Sequence, residues 1–419
     1  MSDLPLLTGP TGSLLIRDLL SQDTEWINHV RPGDVVSVIG DFDAPSIAAL
    51  LHLFERGAVV VPLTVNTLND HPYFFESSLT DWVLMNGEMI QRVHSDTHPL
   101  LEELRSSGNA GLVLFSTGTT GRPKAILHDM KHFLARYETP RPTLQTLSFL
   151  MFDHIGGINT LLHTLLNGGT VFTPRSRSIN DVLETVTQYK VEVLPTTPTF
   201  LRMLLLSGRV PDDIPDSLRV VTYGTERMDE STLAAMCRLL PSIDFRQTFG
   251  MSELGILRVK SKARDSLFMK IGGEGVQIRI REGLLDIRSE TRMLGYLNAP
   301  SPFLEGDWYP TGDLVEVDGD YVKIVGRNTE VVNVGGLKFM TSEVERVILE
   351  FPGVELVKVS PRPNPLTGQH VEATIQVLAS VNFDQQALRG FLRARLPQHK
   401  IPRRISTSVV QVSHRYKRL

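Results

Sequence analysis

The sequence predicts an α/β protein, with a large N-terminal domain of parallel αβ subdomains plus a small β-barrel-like part, followed by a small α+β C-terminal domain. Three observations predict this. Strand–helix–strand punctuation recurs in the first two hundred residues, the texture changes to short alternating runs near Ile271, and a compact helix-and-strand segment follows Gly326.

The first unit starts at Gly33. GDVVSVIGD reads as a strand, Ile47, Leu50, Leu51 and Phe54 share one helical face, Gly57 is a stop, and VVVPL reads as a second strand. A βαβ unit of this kind implies a parallel sheet. A second unit lies in residues 180–194, where DVLETVTQYK has helical spacing and VEVLP reads as a strand, followed by the helix-like FLRMLLL. VQIRIREGLLDIRSE and GDLVEVDGDYVKIVG read as antiparallel hairpins, the second turning at Asp318-Gly319. In TSEVERVILEFPGV, Ser342 and Glu345 are spaced as a capping box, Val344, Val347 and Ile348 share a face, and Pro352-Gly353 is a stop. The domain boundary is placed near Arg327 to Thr329, giving units 1–327 and 328–419.

Composition narrows the function classes. The 419 residues carry a formal net charge of −4, too small an imbalance for a nucleic-acid coat or an anionic membrane surface to be the expected partner; only residues 414–418 form a basic cluster. Cys237 is the single cysteine, which excludes an intrachain disulfide framework and a cysteine-rich metal site. The first twenty residues lack the basic start and apolar run of a signal peptide, and no segment reaches the roughly 20 apolar residues of a membrane span. A cytoplasmic location is expected.

FSTGTTGRPKA, residues 115–125, is the chemically loaded stretch. GLVLF before it reads as a strand, Gly118 and Gly121 let backbone N–H groups converge on an anion, Ser116, Thr117, Thr119 and Thr120 add hydroxyl donors, and Lys124 adds a positive charge. Those are the requirements for binding polyphosphate. A P-loop would place the lysine directly after the glycine and open a helix; here Arg122-Pro123 intervenes and AILHD looks like a strand.

STGTTGRPKA resembles the signature loop of the adenylate-forming superfamily, which contains acyl- and aryl-CoA ligases, the adenylation domains of peptide synthetases, and luciferases. Further resemblances follow in the family's order: the N-terminal βαβ, then TYGTERM, QTFGMSELG, YPTGDL and GRNTEVVNVGGLKF. The resemblance implies a mobile C-terminal domain and a reaction in two halves. A small carboxylic acid attacks the α-phosphate of ATP, giving acyl-AMP and pyrophosphate, and a thiol of CoA or of a carrier protein's phosphopantetheine then takes the acyl group. ATP and Mg²⁺ are the implied cofactors, and an acyl carrier protein is a potential partner.

The resemblance also implies residue roles. Glu253 stands where the family holds Mg²⁺, with Ser252 in place of the usual threonine; Phe249, beside Gly250, would stack on adenine, and Gly224, Thr225 and Glu226 wall the acyl and adenine pockets. Asp313 would accept the ribose hydroxyls with Arg327 beside it. His154 matches the residue that closes the acyl pocket; in a shifted register Phe152 takes that place, and Asp153 falls where amino-acid-activating members keep a carboxylate. Gly335 and Gly336 would line the thiol channel, and Thr329 stands at the hinge. Lys417 matches the catalytic lysine, although Tyr416 replaces the family's glycine; Lys400 is an alternative. Two other functions stay open: an amino-acid-activating or adenylate-only enzyme, and a degenerate binder of nucleotide or acyl-AMP.

Overall fold

A computed structural model describes residues 5–9, 12–21, 24–116, 121–139, 142–378, 381, 383–410, 413 and 415. Strands Val35–Ile39 and Val59–Leu63 are buried along their whole length and pair in parallel, joined by helix Ala44–Glu55. Asp43 caps that helix, its carboxylate accepting from Ser46 N at 2.9 Å. Gly57 follows the helix with a φ of +77°, a conformation that costs glycine nothing. The strands belong to a seven-stranded sheet in the order Gly295–Tyr296, Ala125–Asp129, Gly111–Phe115, Val59–Leu63, Val35–Ile39, Trp82–Met85, Glu88–Gln91. Leu50 and Leu53 pack on one face, and Phe74, Leu101 and Leu104 on the other, so the central strands are apolar without alternation.

A second seven-stranded sheet runs from Asp244–Gln247 through Val220–Tyr223, Val193–Thr196, Thr146–Leu147 and Val171–Phe172 to Pro5–Gly9 and Gly12–Leu15, parallel except for the last pair. The expected helix–strand–helix appears as Ile179–Gln188, Val193–Thr196 and Pro198–Leu206. Helix Ile155–Leu166 presses Ile158, Leu161 and Leu162 into the core of the first sheet, which joins the two αβ units.

The β-barrel-like part is a seven-stranded antiparallel sheet containing both expected hairpins. Val276–Arg281 pairs with Leu284–Ser289, and Tyr309–Asp318 with Tyr321–Arg327, where Asp318 faces Tyr321 across Gly319 at φ +59°. Val331–Val334 then enters a separate five-stranded sheet, on which helix Thr341–Leu349 packs Val344, Val347 and Ile348 as expected. The expected capping box is corrected. Glu343, not Glu345, accepts from the Met340 N–H at 2.9 Å, because the helix starts at Thr341; Ser342 instead donates to the Val325 carbonyl, and Glu345 accepts from Val359 N. Among the described residues no helix is long and apolar enough to cross a membrane.

Arg202, on helix Pro198–Leu206, fastens the C-terminal unit to the large one. Its guanidinium donates to the carbonyls of Glu355 at 2.6 Å, Val354 at 3.0 Å and Leu349 at 3.3 Å, and lies 3.9 Å from the Asp229 carboxylate. Leu349 ends helix Thr341–Leu349, so a cation there also meets the negative end of the helix dipole. Arg202→Ala is expected to lower unfolding free energy by about 3 kcal/mol, because it leaves Asp229 buried without its cation. It is also expected to speed proteolysis near residues 328–330. Denaturant titration and a timed digest read both, and no change in either would show that Arg202 does not hold the units together.

Candidate active site

The phosphate-loop stretch is closed at its base by two hydrogen bonds. Ser116 N donates to the Lys124 carbonyl at 3.1 Å, and Lys124 N donates to Ser116 Oγ at 3.0 Å. Strand Ala125–Asp129 then returns antiparallel to Gly111–Phe115, with Ala125 opposite Phe115. A strand after the lysine rules out the helix-tipped P-loop, as the spacing implied. Thr117, Gly118, Thr119 and Thr120 lie outside the described residues, and Gly121 is exposed. Pro123 is held in place because its carbonyl accepts from Tyr73 OH at 2.8 Å and Asn298 Nδ2 at 3.1 Å. The Lys124 ammonium sits 4.7 Å from the centre of the Tyr296 ring, a cation–π distance.

Tyr296 connects the loop to Glu253. Its hydroxyl donates to Glu253 Oε1 at 2.9 Å and lies 3.5 Å from Tyr309 OH. Burial pushes both phenols well above the ordinary range, with the Glu253 charge adding to it, so both stay neutral donors. The backbone of the segment is fixed on both sides of the carboxylate: Met293 N donates to the Glu253 carbonyl at 2.7 Å, and His128 Nε2 donates to the Ser252 carbonyl at 2.6 Å. His128 is neutral because burial lowers its pKa to about 4 against the opposing pull of that carbonyl. Phe249 and Gly250 lie on strand Phe249–Met251, where a Cβ at Gly250 would come within 2.6 Å of the Gly255 carbonyl. Tyr296, Tyr309, Asn298 and His128 were not singled out from the sequence. Only Tyr309 stood inside a motif, YPTGDL, and the others carry no local signal.

Gly224 must lack a side chain, since a Cβ there would lie 2.1 Å from Thr248 Oγ1. Thr225 follows at φ +74°, a region that β-branched residues rarely enter, and its buried hydroxyl has no partner among the described residues. Glu226 accepts from Thr199 N at 2.7 Å at the start of helix Pro198–Leu206. Backbone strain thus sits beside an unsatisfied hydroxyl just after strand Val220–Tyr223, at the carboxyl edge of the parallel sheet.

Asp313 and Arg327 face each other across two antiparallel strands, with Nε 3.4 Å from Oδ1. Burial pushes the Asp313 carboxyl up to about 6, only partly offset by Arg327 and by Thr311. His154 caps helix Ile155–Leu166 and is buried; its Nδ1 accepts from Gly156 N at 3.0 Å. Phe152 is buried edge-on against Phe42. Asp153 between them pairs with Arg415, Nη2 to Oδ2 at 2.8 Å. Arg415 was read only as part of a basic cluster. Lys417 lies outside the described residues, whereas Lys400 is bound to Glu343 and lies over the Phe339 ring, within the C-terminal unit. Gly335 and Gly336, at φ +60° and +90°, form the exposed turn of the hairpin Val331–Val334 and Leu337–Met340. Thr329 is exposed in the turn Asn328–Glu330. The structure thus brings Ser116, Lys124 and Glu253 together, and separately pairs Asp313 with Arg327; it leaves Gly335 and Gly336 on a solvent-facing tip.

The raised pKa of Asp313 predicts a pH dependence. The folded value, about 6, exceeds the unfolded one near 3.8, so the folded state binds the extra proton between those limits and stability falls as pH rises from about 4 to above 6. Asp313→Asn lacks this loss. Its stability relative to the native protein is expected to rise by up to about 3 kcal/mol between pH 4 and pH 7. Paired denaturation curves across that range check it, and parallel curves would show that Asp313 is not titrating there.

A profile of the AMP-binding enzyme family matches residues 81–281. A plipastatin synthase polypeptide of Bacillus subtilis is 25% identical over 432 residues, covering 92% of this chain and 16% of that protein. A medium/long-chain fatty acid–acyl-carrier-protein ligase of Mycobacterium tuberculosis is 28% identical over 344 residues, covering 72% of this chain and 62% of that one. This chain therefore spans less than two thirds of either relative's length. ATP-bound MatB from Rhodopseudomonas palustris superposes with a TM-score of 0.81 at 19% identity, covering 99% of this chain and 95% of that chain. The profile reaches from the first parallel sheet to the strands beyond Glu253, just under half of the chain, and the relatives and the shared fold extend across the rest, so what the chain resembles along its length is the adenylate-forming superfamily of AMP-binding enzymes.

Proposed function

We propose that the protein is an ATP- and Mg²⁺-dependent acid–thiol ligase of the cytoplasm, which activates a small carboxylic acid as its adenylate and passes the acyl group to a phosphopantetheine thiol. The observation that carries this reading is the connection from Lys124, over the Tyr296 ring, through the Tyr296 hydroxyl to Glu253, which sets the cation of the loop stretch and this carboxylate on either side of one residue. In such a site the loop and Lys124 would hold the pyrophosphate end of ATP, and the half-buried Phe249 ring would offer adenine a flat apolar face. Asp313 would accept the ribose hydroxyls beside Arg327. Glu253 would hold Mg²⁺, which needs only one or two protein oxygens when phosphates supply others, and the ion would neutralise phosphate charge. Lys417 would supply the cation at the α-phosphate, His154 would border the acid, and Gly335 and Gly336 would line the thiol's path once the unit 328–419 turns about Thr329. Positioning and charge neutralisation do most of the catalysis in such transfers.

The acceptor is either CoA or a carrier protein. The Mycobacterium relative is named for a carrier protein, whereas a feruloyl-CoA synthase of Amycolatopsis, 24% identical over 432 residues, is named for CoA. Both offer the same thiol chemistry.

Exchange of labelled pyrophosphate into ATP, run with a panel of carboxylic and amino acids, tests the reading. At least one acid should support exchange, and retained ATP binding with exchange by none would sink the ligase function. Tyr296→Phe keeps the ring under Lys124 but removes the hydroxyl from Glu253. It is expected to raise the Mg²⁺ concentration for half-maximal exchange by about tenfold. An unaltered Mg²⁺ dependence would detach Tyr296, and the connection it makes, from the metal site.

A further inference from the structure

Arg415 and Asp153 form a buried ion pair across 262 residues of sequence, and neither belongs to the machinery assigned above. The Arg415 side chain is 7% exposed and that of Asp153 5%. Arg415 Nη2 donates to Asp153 Oδ2 at 2.8 Å and to the Asp153 carbonyl at 3.0 Å, and the same guanidinium reaches the Phe115 carbonyl at 3.4 and 3.5 Å. Both contacts fall at chemically loaded places. Phe115 ends the strand immediately before Ser116 of the phosphate loop and is held by pairing with Ala125 and by stacking on Phe74 at 4.2 Å. Asp153 immediately precedes His154, the cap of helix Ile155–Leu166.

We propose that Arg415 is a positioning residue for adenylate formation, anchoring its own position in the C-terminal unit to Phe115, the residue before the loop, and to Asp153, the neighbour of His154. The proposal rests on the ligase reading. A guanidinium is expensive to bury unless its charge is matched and its N–H groups find acceptors, and the Arg415 side chain has a seat where a carboxylate and two carbonyls converge. His71, which also feels the charge of Asp153, does not compete, since burial lowers its pKa and leaves it neutral.

The test uses the full chain with Arg415→Ala, Arg415→Lys and Asp153→Asn. Three readouts separate positioning from folding: pyrophosphate exchange, thiol transfer from supplied acyl-adenylate, and hydrogen exchange of the C-terminal peptide. Arg415→Ala should lower exchange about 10²-fold, the scale of a misplaced reacting group, while thiol transfer stays at the native rate and the terminal peptide loses protection. Arg415→Lys should recover part of the exchange, and Asp153→Asn should expose the terminal peptide as Arg415→Ala does. Equal losses in both half-reactions, native exchange in Arg415→Ala, or unchanged protection in Asp153→Asn would overturn the proposal. Should the native protein support exchange with no acid, the ligase reading and the positioning role fall together, and the hydrogen-exchange comparison then decides whether docking itself stands.

Discussion

The site depends on one strand, Ala125–Asp129, lying between two others. One edge pairs with Gly111–Phe115, which closes the phosphate loop and fixes where Lys124 leaves the sheet. The other edge pairs with Gly295–Tyr296, which puts the Tyr296 ring beside that lysine. Further along the same strand, His128 holds the Ser252 carbonyl, so the residue next to Glu253 is tied to the strand that carries the cation. A sheet register is discrete, and slipping it by one residue would reverse which side chains face the loop. The two ends of the stretch between Ser116 and Gly121 are therefore carried by one sheet and fixed in register.

Two arginines tie the small C-terminal unit to the large domain. Arg202 projects from the large domain to the carbonyls after helix Thr341–Leu349, and Arg415 projects from the chain's end into the large domain. Each spends a buried charge on carbonyl acceptors and one carboxylate, an arrangement that is strong only when the geometry is right. A unit held this way has a well-defined docked state. Rotation about 328–330 would have to break these contacts, so the docked arrangement is one discrete position and not one point on a continuum.

Much of this was legible in the sequence because it is local. Helix Ala44–Glu55 and its flanking strands follow from apolar spacing, and the turn at Gly319 follows from its Asp-Gly pair. The loop, Glu253 and Asp313 stood out as short motifs. What stayed hidden is long-range: the contacts of Tyr296 with Glu253, of His128 with Ser252 and of Arg415 with Asp153 join single residues with no periodicity around them. The misplaced capping box has a different cause. Ser342 and Glu345 had the right spacing, but both face inward at the seam with strand Tyr321–Arg327 and with Val359, so tertiary partners took the groups that a local rule assigned to the helix end.

Three buried aspartates show where the fold leaves a charge for something else to satisfy. Asp286 and Asp229 are each desolvated, which pushes their pKa values up, yet both end below the usual carboxylate range. Arg281 and Arg279 bond the first, and Arg202, Ser231 and Thr232 stabilise the second. Asp313 is buried too and ends near 6, because burial outweighs the pull of Arg327 and of the single Thr311 hydrogen bond, and Glu330 adds a repelling charge. At Asp286 and Asp229 the chain compensates the buried charge itself. At Asp313 it supplies too little, and two vicinal hydroxyl donors would stabilise the ionised form as Ser231 and Thr232 do for Asp229. The ribose hydroxyls proposed to meet Asp313 would be donors of that kind.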